Sequence, residues 1–154
     1  MPLTMTITGT RSTGHRESTW YTGVFTHYVR PFAEDDASRF YVGGAKGIDS
    51  LALSWLARNT GAEITVVVPG TVAQQPPEAR RTVDECRERI ARVVELGAPE
   101  LRTAAYHARN RWMVDRSDMV IGFPAEGRPK GGSGTWQTID YGAHRGKPRL
   151  IVPV

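Results

Sequence analysis

The residues Met119-Val120-Ile121-Gly122-Phe123 form an apolar run that leads, through a short loop, into Gly131-Gly132-Ser133-Gly134-Thr135 and then a helical pattern. A run without polar alternation suits a strand buried on both faces. Such a strand belongs to a parallel sheet covered by helices, because parallel neighbours need long crossover connections. The same segment builds an anion site. Glycine permits φ > 0 and a close backbone approach, and the first turn of the following helix offers unpaired N–H groups at the positive end of its dipole. The guest such a turn suits is a phosphate.

The apolar pattern recurs along the chain. Strands are expected at residues 4–8, 40–42, 63–68, 119–123 and 149–152. Helices are expected between them at 19–37, 48–59, 78–96, 104–116 and 134–145. In the second, Leu51, Trp55 and Leu56 share a face and Gly61 lies just past the end. The segment 78–96 has Ala79, Val83, Cys86, Ile90 and Val93 at steps of three and four, with Pro76-Pro77 before it and Gly97 after it. Glu85 with Arg89 and Glu88 with Arg92 read there as i,i+4 ion pairs on a solvated face. The alternation predicts an α/β fold: a three-layer sandwich with a doubly wound, mostly parallel, Rossmann-like sheet.

With 154 residues, 40% hydrophobic and 23% charged, the chain is expected to form one domain over residues 1–154. No window reaches the roughly 18 apolar residues of a membrane span, and no basic leader precedes an apolar stretch, so a soluble, cytoplasmic protein with no membrane partner is expected. The single cysteine, Cys86, excludes an internal disulfide and reads as a core residue. The excess of 20 Lys+Arg over 16 Asp+Glu permits a polyanionic partner without requiring one.

Ligands of doubly wound sheets sit beyond the carboxyl ends of the strands. The loops at that edge are 9–18, 43–47, 69–77 and 124–133. The first carries Gly9, Thr10, Arg11 and Ser12, the second Gly43, Gly44, Lys46 and Gly47, and the last runs from Lys130 through Gly131, Gly132, Ser133 and Gly134 to Thr135. Each glycine turn alone could be a plain tight turn; three at one sheet edge, with hydroxyls and cations, point to phosphate binding. Arg109-Asn110-Arg111 adds two guanidiniums and an amide on the preceding helix. Arginine can grip a phosphate through two donors and asparagine can bond a base edge or ribose. The alternative is surface ion pairing with Asp115 and Glu100. Trp112 and Trp136 could stack on a base or belong to the core.

Familiar nucleotide motifs are missing in detail. There is no G-x-x-x-x-G-K-[ST], and Gly132-Ser133-Gly134 lacks the third glycine of a dinucleotide fingerprint and follows a late strand. The four histidines show no i,i+4 pairing with a glutamate for zinc, so neither a metal nor a cofactor is expected. If the chain were a hydrolase, its carboxylates nearest the cleft would be Asp49, Asp140 and Glu126. Asp49 could equally cap a helix or brace the sheet edge.

These residues together resemble the superfamily that joins the DNA-processing protein DprA (Smf) with the LOG phosphoribohydrolases. Gly43-Gly44-Ala45-Lys46-Gly47-Ile48-Asp49 is similar to the DprA pattern G-G-A-R-G-I-D, with lysine for arginine. Arg109-Asn110-Arg111 resembles its R-N-R, and Ser133-Gly134-Thr135 with Thr138 resembles its S-G-[ST]-x-x-T. Lys147-Pro148 before a last apolar strand also fits, and the likeness spans nearly the whole chain, closest to a stand-alone DprA-like domain.

The two branches imply different chemistry. LOG enzymes carry P-G-G-x-G-T-x-x-E with a catalytic glutamate, and an upstream arginine, matched here by Arg109, binds a nucleoside monophosphate. The glutamate position is Thr138 in this chain, and threonine cannot activate water or stabilise an oxocarbenium-like sugar. DprA-like proteins bind single-stranded DNA in the basic cleft at this edge. The reading favoured is a non-catalytic module that holds a nucleotide or single-stranded DNA phosphates, with Asn110 and Thr138 orienting the ligand. The alternative is a LOG-like nucleoside 5′-monophosphate phosphoribohydrolase that cleaves the N-glycosidic bond. The resemblance also implies a homodimer.

Overall fold

Six strands alternate with helices in a computed structural model that describes residues 2–130 and 132–154. In chain order the elements are β1 (Thr4–Gly9), α1 (Ser18–Tyr28), α2 (Arg30–Ala33), β2 (Arg39–Gly43), α3 (Ile48–Asn59), β3 (Glu63–Val68), α4 (Pro77–Glu85), β4 (Ile90–Glu95), α5 (Thr103–Asp115), β5 (Met119–Phe123), α6 (Gly134–His144) and β6 (Arg149–Ile151). Every pairing is parallel, and the strands lie in the order β4-β3-β2-β1-β5-β6. This is the expected doubly wound, Rossmann-like α/β fold. The inner strands β1, β3 and β5 are almost wholly buried, as their unbroken apolar sequences require.

The chain winds outward from β1 through β2 and β3 to β4, then returns to lay β5 on the other side of β1. Helices α1 and α3 pack together on one face, with α4 beside α3, while α5 and α6 pack together on the other. The reversal therefore falls between β1 and β5, where successive connections leave on opposite faces and open a crevice at the carboxyl ends. Backbone hydrogen bonds tie that edge together. Thr10 N donates to Phe123 O at 3.0 Å, joining the ends of β1 and β5, and Ile48 N donates to Thr10 O at 3.0 Å, joining the same loop to α3.

Two expected helices are broken. The segment 78–96 is helical only through Glu85; a short 3-10 turn at Arg87–Arg89 follows, and Ile90–Glu95 is the edge strand β4. β-branched Ile90, Val93 and Val94 gain more by pairing with the exposed side of β3 than by continuing the helix, a case of tertiary contact overriding periodicity. The expected Glu85–Arg89 and Glu88–Arg92 helix pairs are consequently lost, and Arg89 instead donates to Thr60 O and Ala62 O, both at 2.9 Å. The segment 19–37 breaks after Tyr28, because Pro31 in the first turn of α2 has no N–H to carry α1 onward. Cys86 is buried, as its composition suggested.

Gly47 is the backbone hinge of the crevice rim. Its φ is +77°, and a Cβ there would lie 2.5 Å from Thr10 O and 2.6 Å from Arg11 Cα. Only glycine combines that conformation with so close an approach. Gly47→Ala is expected to cost about 1–3 kcal/mol, seen as a fall in the urea midpoint with an unchanged slope.

Candidate nucleic-acid interface at the strand switch point

A cleft of about 440 Å3 fills the crevice between β1 and β5. The end of β1 and its loop supply Thr8, Gly9, Thr10 and Arg11, the start of α6 supplies Ser133, Gly134 and Thr135, and α5 forms the wall with Tyr106, Arg109 and Asn110. Ser133 caps α6, its Oγ accepting from Trp136 N at 3.2 Å. Gly134 and Thr135, whose amides precede the first intrahelical hydrogen bond, remain at the cleft wall.

Arg109 is the dominant charge. Its side chain is buried, at 4% exposure, although an arginine is rarely buried without a role. Nε donates to Asn110 Oδ1 at 2.9 Å and Nη1 to Val67 O at 3.3 Å, so the guanidinium is held between the last residues of β3 and the middle of α5. Burial pulls its pKa down, against the attraction of Asp49. Arg11, which is exposed, places its guanidinium 4.7 Å from the Tyr106 ring centre, and Arg109 lies 5.8 Å from the same ring. One aromatic ring thus has two cations beside it.

Asp49 faces this pair from the start of α3. Burial raises its carboxyl to about 6, and the nearby Arg109, the amide of Ala45 and Arg11 only partly offset that cost. Ala45 N donates to Asp49 Oδ2 at 3.4 Å. Gly43 makes the approach possible: a Cβ there would lie 2.5 Å from Arg109 Nη1 and 2.7 Å from Asp49 Oδ2. Gly44 is similarly filled by Val68, at 2.6 Å. Packing accounts for glycine at 43 and 44, and packing together with a positive φ for glycine at 47.

The structure sorts the residues singled out in the sequence. Gly9, Thr10, Arg11, Arg109, Asn110, Ser133, Gly134, Thr135 and Asp49 line one cleft. Gly43, Gly44 and Gly47 lie behind it as packing positions. Ser12 and Lys46 are exposed in the rim loops, and Arg111 is exposed elsewhere on α5. The expected alternative, pairing of Arg109 and Arg111 with Asp115 and Glu100, is not what forms: Asp115 pairs with Arg145 and Glu100 with Arg102. Thr138 is fully buried and donates to Gly134 O at 2.8 Å, so its hydroxyl serves its own helix. Gly132 borders a neighbouring cleft, and Gly131 lies outside the described residues. Of the alternative carboxylates, Asp140 pairs with Arg128, while Glu126 is exposed and does not line the main cleft.

Tyr106, His107 and Thr103 also line the cleft and were not anticipated. Their signal was available: 103, 106, 107, 110 and 113 recur at helical spacing, one face of α5. Trp112 packs against Tyr41 away from the cleft, at 5.5 Å between ring centres, whereas Trp136 is half-buried at its edge. Among the described residues no group of three His, Cys, Asp or Glu side chains could hold a metal ion, and no helix is long and apolar enough to cross a membrane.

Residues 3–154 match the profile of the DNA recombination-mediator protein A family. The chain belongs to that family. Its fold is similar to that of DNA processing protein A from Helicobacter pylori, a structure described for its unique single-stranded DNA binding mode. The two share 22% sequence identity and superpose with a TM-score of 0.72, over 99% of this chain and 66% of the other. No curated protein matches the sequence. This member of the DNA recombination-mediator protein A family thus spans just under two thirds of the length of that neighbour.

Asp49 gives the cleft a measurable pH dependence. A carboxyl raised from 3.8 to about 6 holds its proton more tightly in the folded state, so it favours folding below the unfolded value and that contribution is lost as pH rises through about 6. Asp49→Asn is expected to flatten the decline in stability between about pH 4 and 6, by as much as about 2–3 kcal/mol, in urea melts across that range.

Proposed function

We propose that the switch-point cleft binds the phosphate backbone of single-stranded DNA. The observation that carries this reading is the buried Arg109 guanidinium opening, with Arg11 and the start of α6, into one cleft. A cation removed from water costs several kcal/mol unless it is paired, and Asp49 offsets that cost only in part. An anion between Arg109, Arg11 and the amides of Gly134 and Thr135 offsets the rest. Asn110 fixes the guanidinium fork through its Nε, leaving the other terminal nitrogen for a phosphate oxygen. Membership of the DNA recombination-mediator protein A family and the DNA-binding neighbour support a strand over an isolated anion.

Backbone recognition of this kind is salt-dependent. Oligothymidine affinity is expected to fall with salt at a log–log slope of about −0.7 for each phosphate neutralised. Arg11→Ala, an exposed position, should weaken binding and make the slope shallower by about one such step. A flat salt response, or an unaltered slope in the variant, contradicts the strand reading.

A second reading rests on Asp49, the one alternative carboxylate that lines the main cleft, with its carboxyl near 6. Such a group could exchange a proton near neutral pH, as N-glycosidic cleavage of a nucleoside 5′-monophosphate requires. Chromatography of a monophosphate panel separates the readings: release of free base, lost in Asp49→Asn, supports cleavage, and intact nucleotides support binding alone.

A further inference from the structure

A second, more open cleft of about 480 Å3 adjoins the first. The two share Thr103, His107, Ser133, Gly134 and Trp136, so the Trp136 ring stands on their common border. Arg128 lies 4.5 Å from the centre of that ring and is ion-paired with Asp140 on the next turn of α6. An indole that already takes a planar guanidinium offers the surface on which a planar heterocycle stacks. Two buried polar atoms beside it have no partner among the described residues: Trp136 Nε1, a donor, and Gln137 Oε1, an acceptor. Buried donors and acceptors are rarely left unpaired, so the packing beneath this ring is not closed by internal hydrogen bonds.

We propose that this second cleft is a nucleobase subsite, with Trp136 as its stacking platform, for the nucleotide next to the phosphate held by Arg109 and Arg11. The inference rests on the reading of the first cleft as a phosphate site and adds a base contact to it. The chemistry divides between the clefts. The first supplies charge and helix-terminal amides, while the second supplies the Trp136 ring, bordered by Arg128 and Asp140. An aromatic platform tolerates any base, because every base has a π-face. The subsite thus adds affinity for single strands, whose bases are unstacked, and excludes a duplex, whose bases are not.

The test compares oligothymidine with an oligomer of the same length made of abasic sites, on the unmodified protein and on Trp136→Ala, Trp136→Phe and Arg11→Ala. Removing one stacked base is expected to weaken binding roughly ten-fold or more. Trp136→Ala should therefore weaken oligothymidine by that factor, leave the abasic oligomer unchanged and keep the salt slope. Trp136→Phe should recover most of the loss, and Arg11→Ala should weaken both oligomers. If the unmodified protein binds both oligomers equally, or Trp136→Ala weakens both alike, the base subsite falls while the phosphate site stands. If the unmodified protein binds neither, the phosphate reading fails as well. The comparison of oligomers on the unmodified protein needs no variant to fold.

Discussion

The cost of burying Arg109 organises the carboxyl edge of this sheet. Without compensation a buried guanidinium is destabilising by several kcal/mol, and the surrounding residues divide the compensation among them. Val67, at the end of β3, gives a carbonyl; Asn110 gives an amide oxygen; Asp49 gives a nearby carboxyl that is itself held up to about 6 by the same burial. Gly43 must lack a side chain for the guanidinium and carboxyl to fit. The glycine-rich segment after β2 thus acts first through space and only then through its amides.

Topology turns that buried charge into a site. Because β5 lies beside β1 and the connections on its two sides leave on opposite faces, no crossover covers the gap between them. The loop after β1 is fastened to Phe123 on one side and to Ile48 on the other, which places Arg11 across the gap from α5. The helix start at Ser133 enters the same gap from the sheet's other half. Charge, amides and an aromatic ring meet there from elements far apart in sequence, and Tyr106 joins the two arginines that face it.

Much of this was legible in the sequence, and the exceptions have physical causes. The unbroken apolar runs at 63–68 and 119–123 reported strands buried on both faces, which only a helix-covered parallel sheet provides. The segment 78–96 misled because Ile90 and Val93 fit a helical stripe and a strand equally well, and pairing with β3 decided between them. Pro31 was a readable break in the segment 19–37. Among the cleft residues, Arg109 was singled out by the R-N-R likeness, and Arg11 and Ser133 by the glycine-bearing loops at the carboxyl edge, whereas the capping role of Ser133 was not read from the sequence. Tyr106 and His107 were overlooked because their importance depends on which face of α5 meets the crevice. Lys46 and Arg111 carry the right chemistry but remain outside the cleft, a distinction that spacing along the chain does not encode.

Amide chemical-shift mapping during titration with oligothymidine tests the central claim most directly, since it reads position as well as binding. The predicted result is that the largest changes fall on Gly9 to Arg11, Tyr106 to Asn110 and Gly134 to Trp136, the segments that meet at the β1/β5 crevice. Changes concentrated on α1, or at the amino ends of the strands, with these segments unmoved, would contradict it.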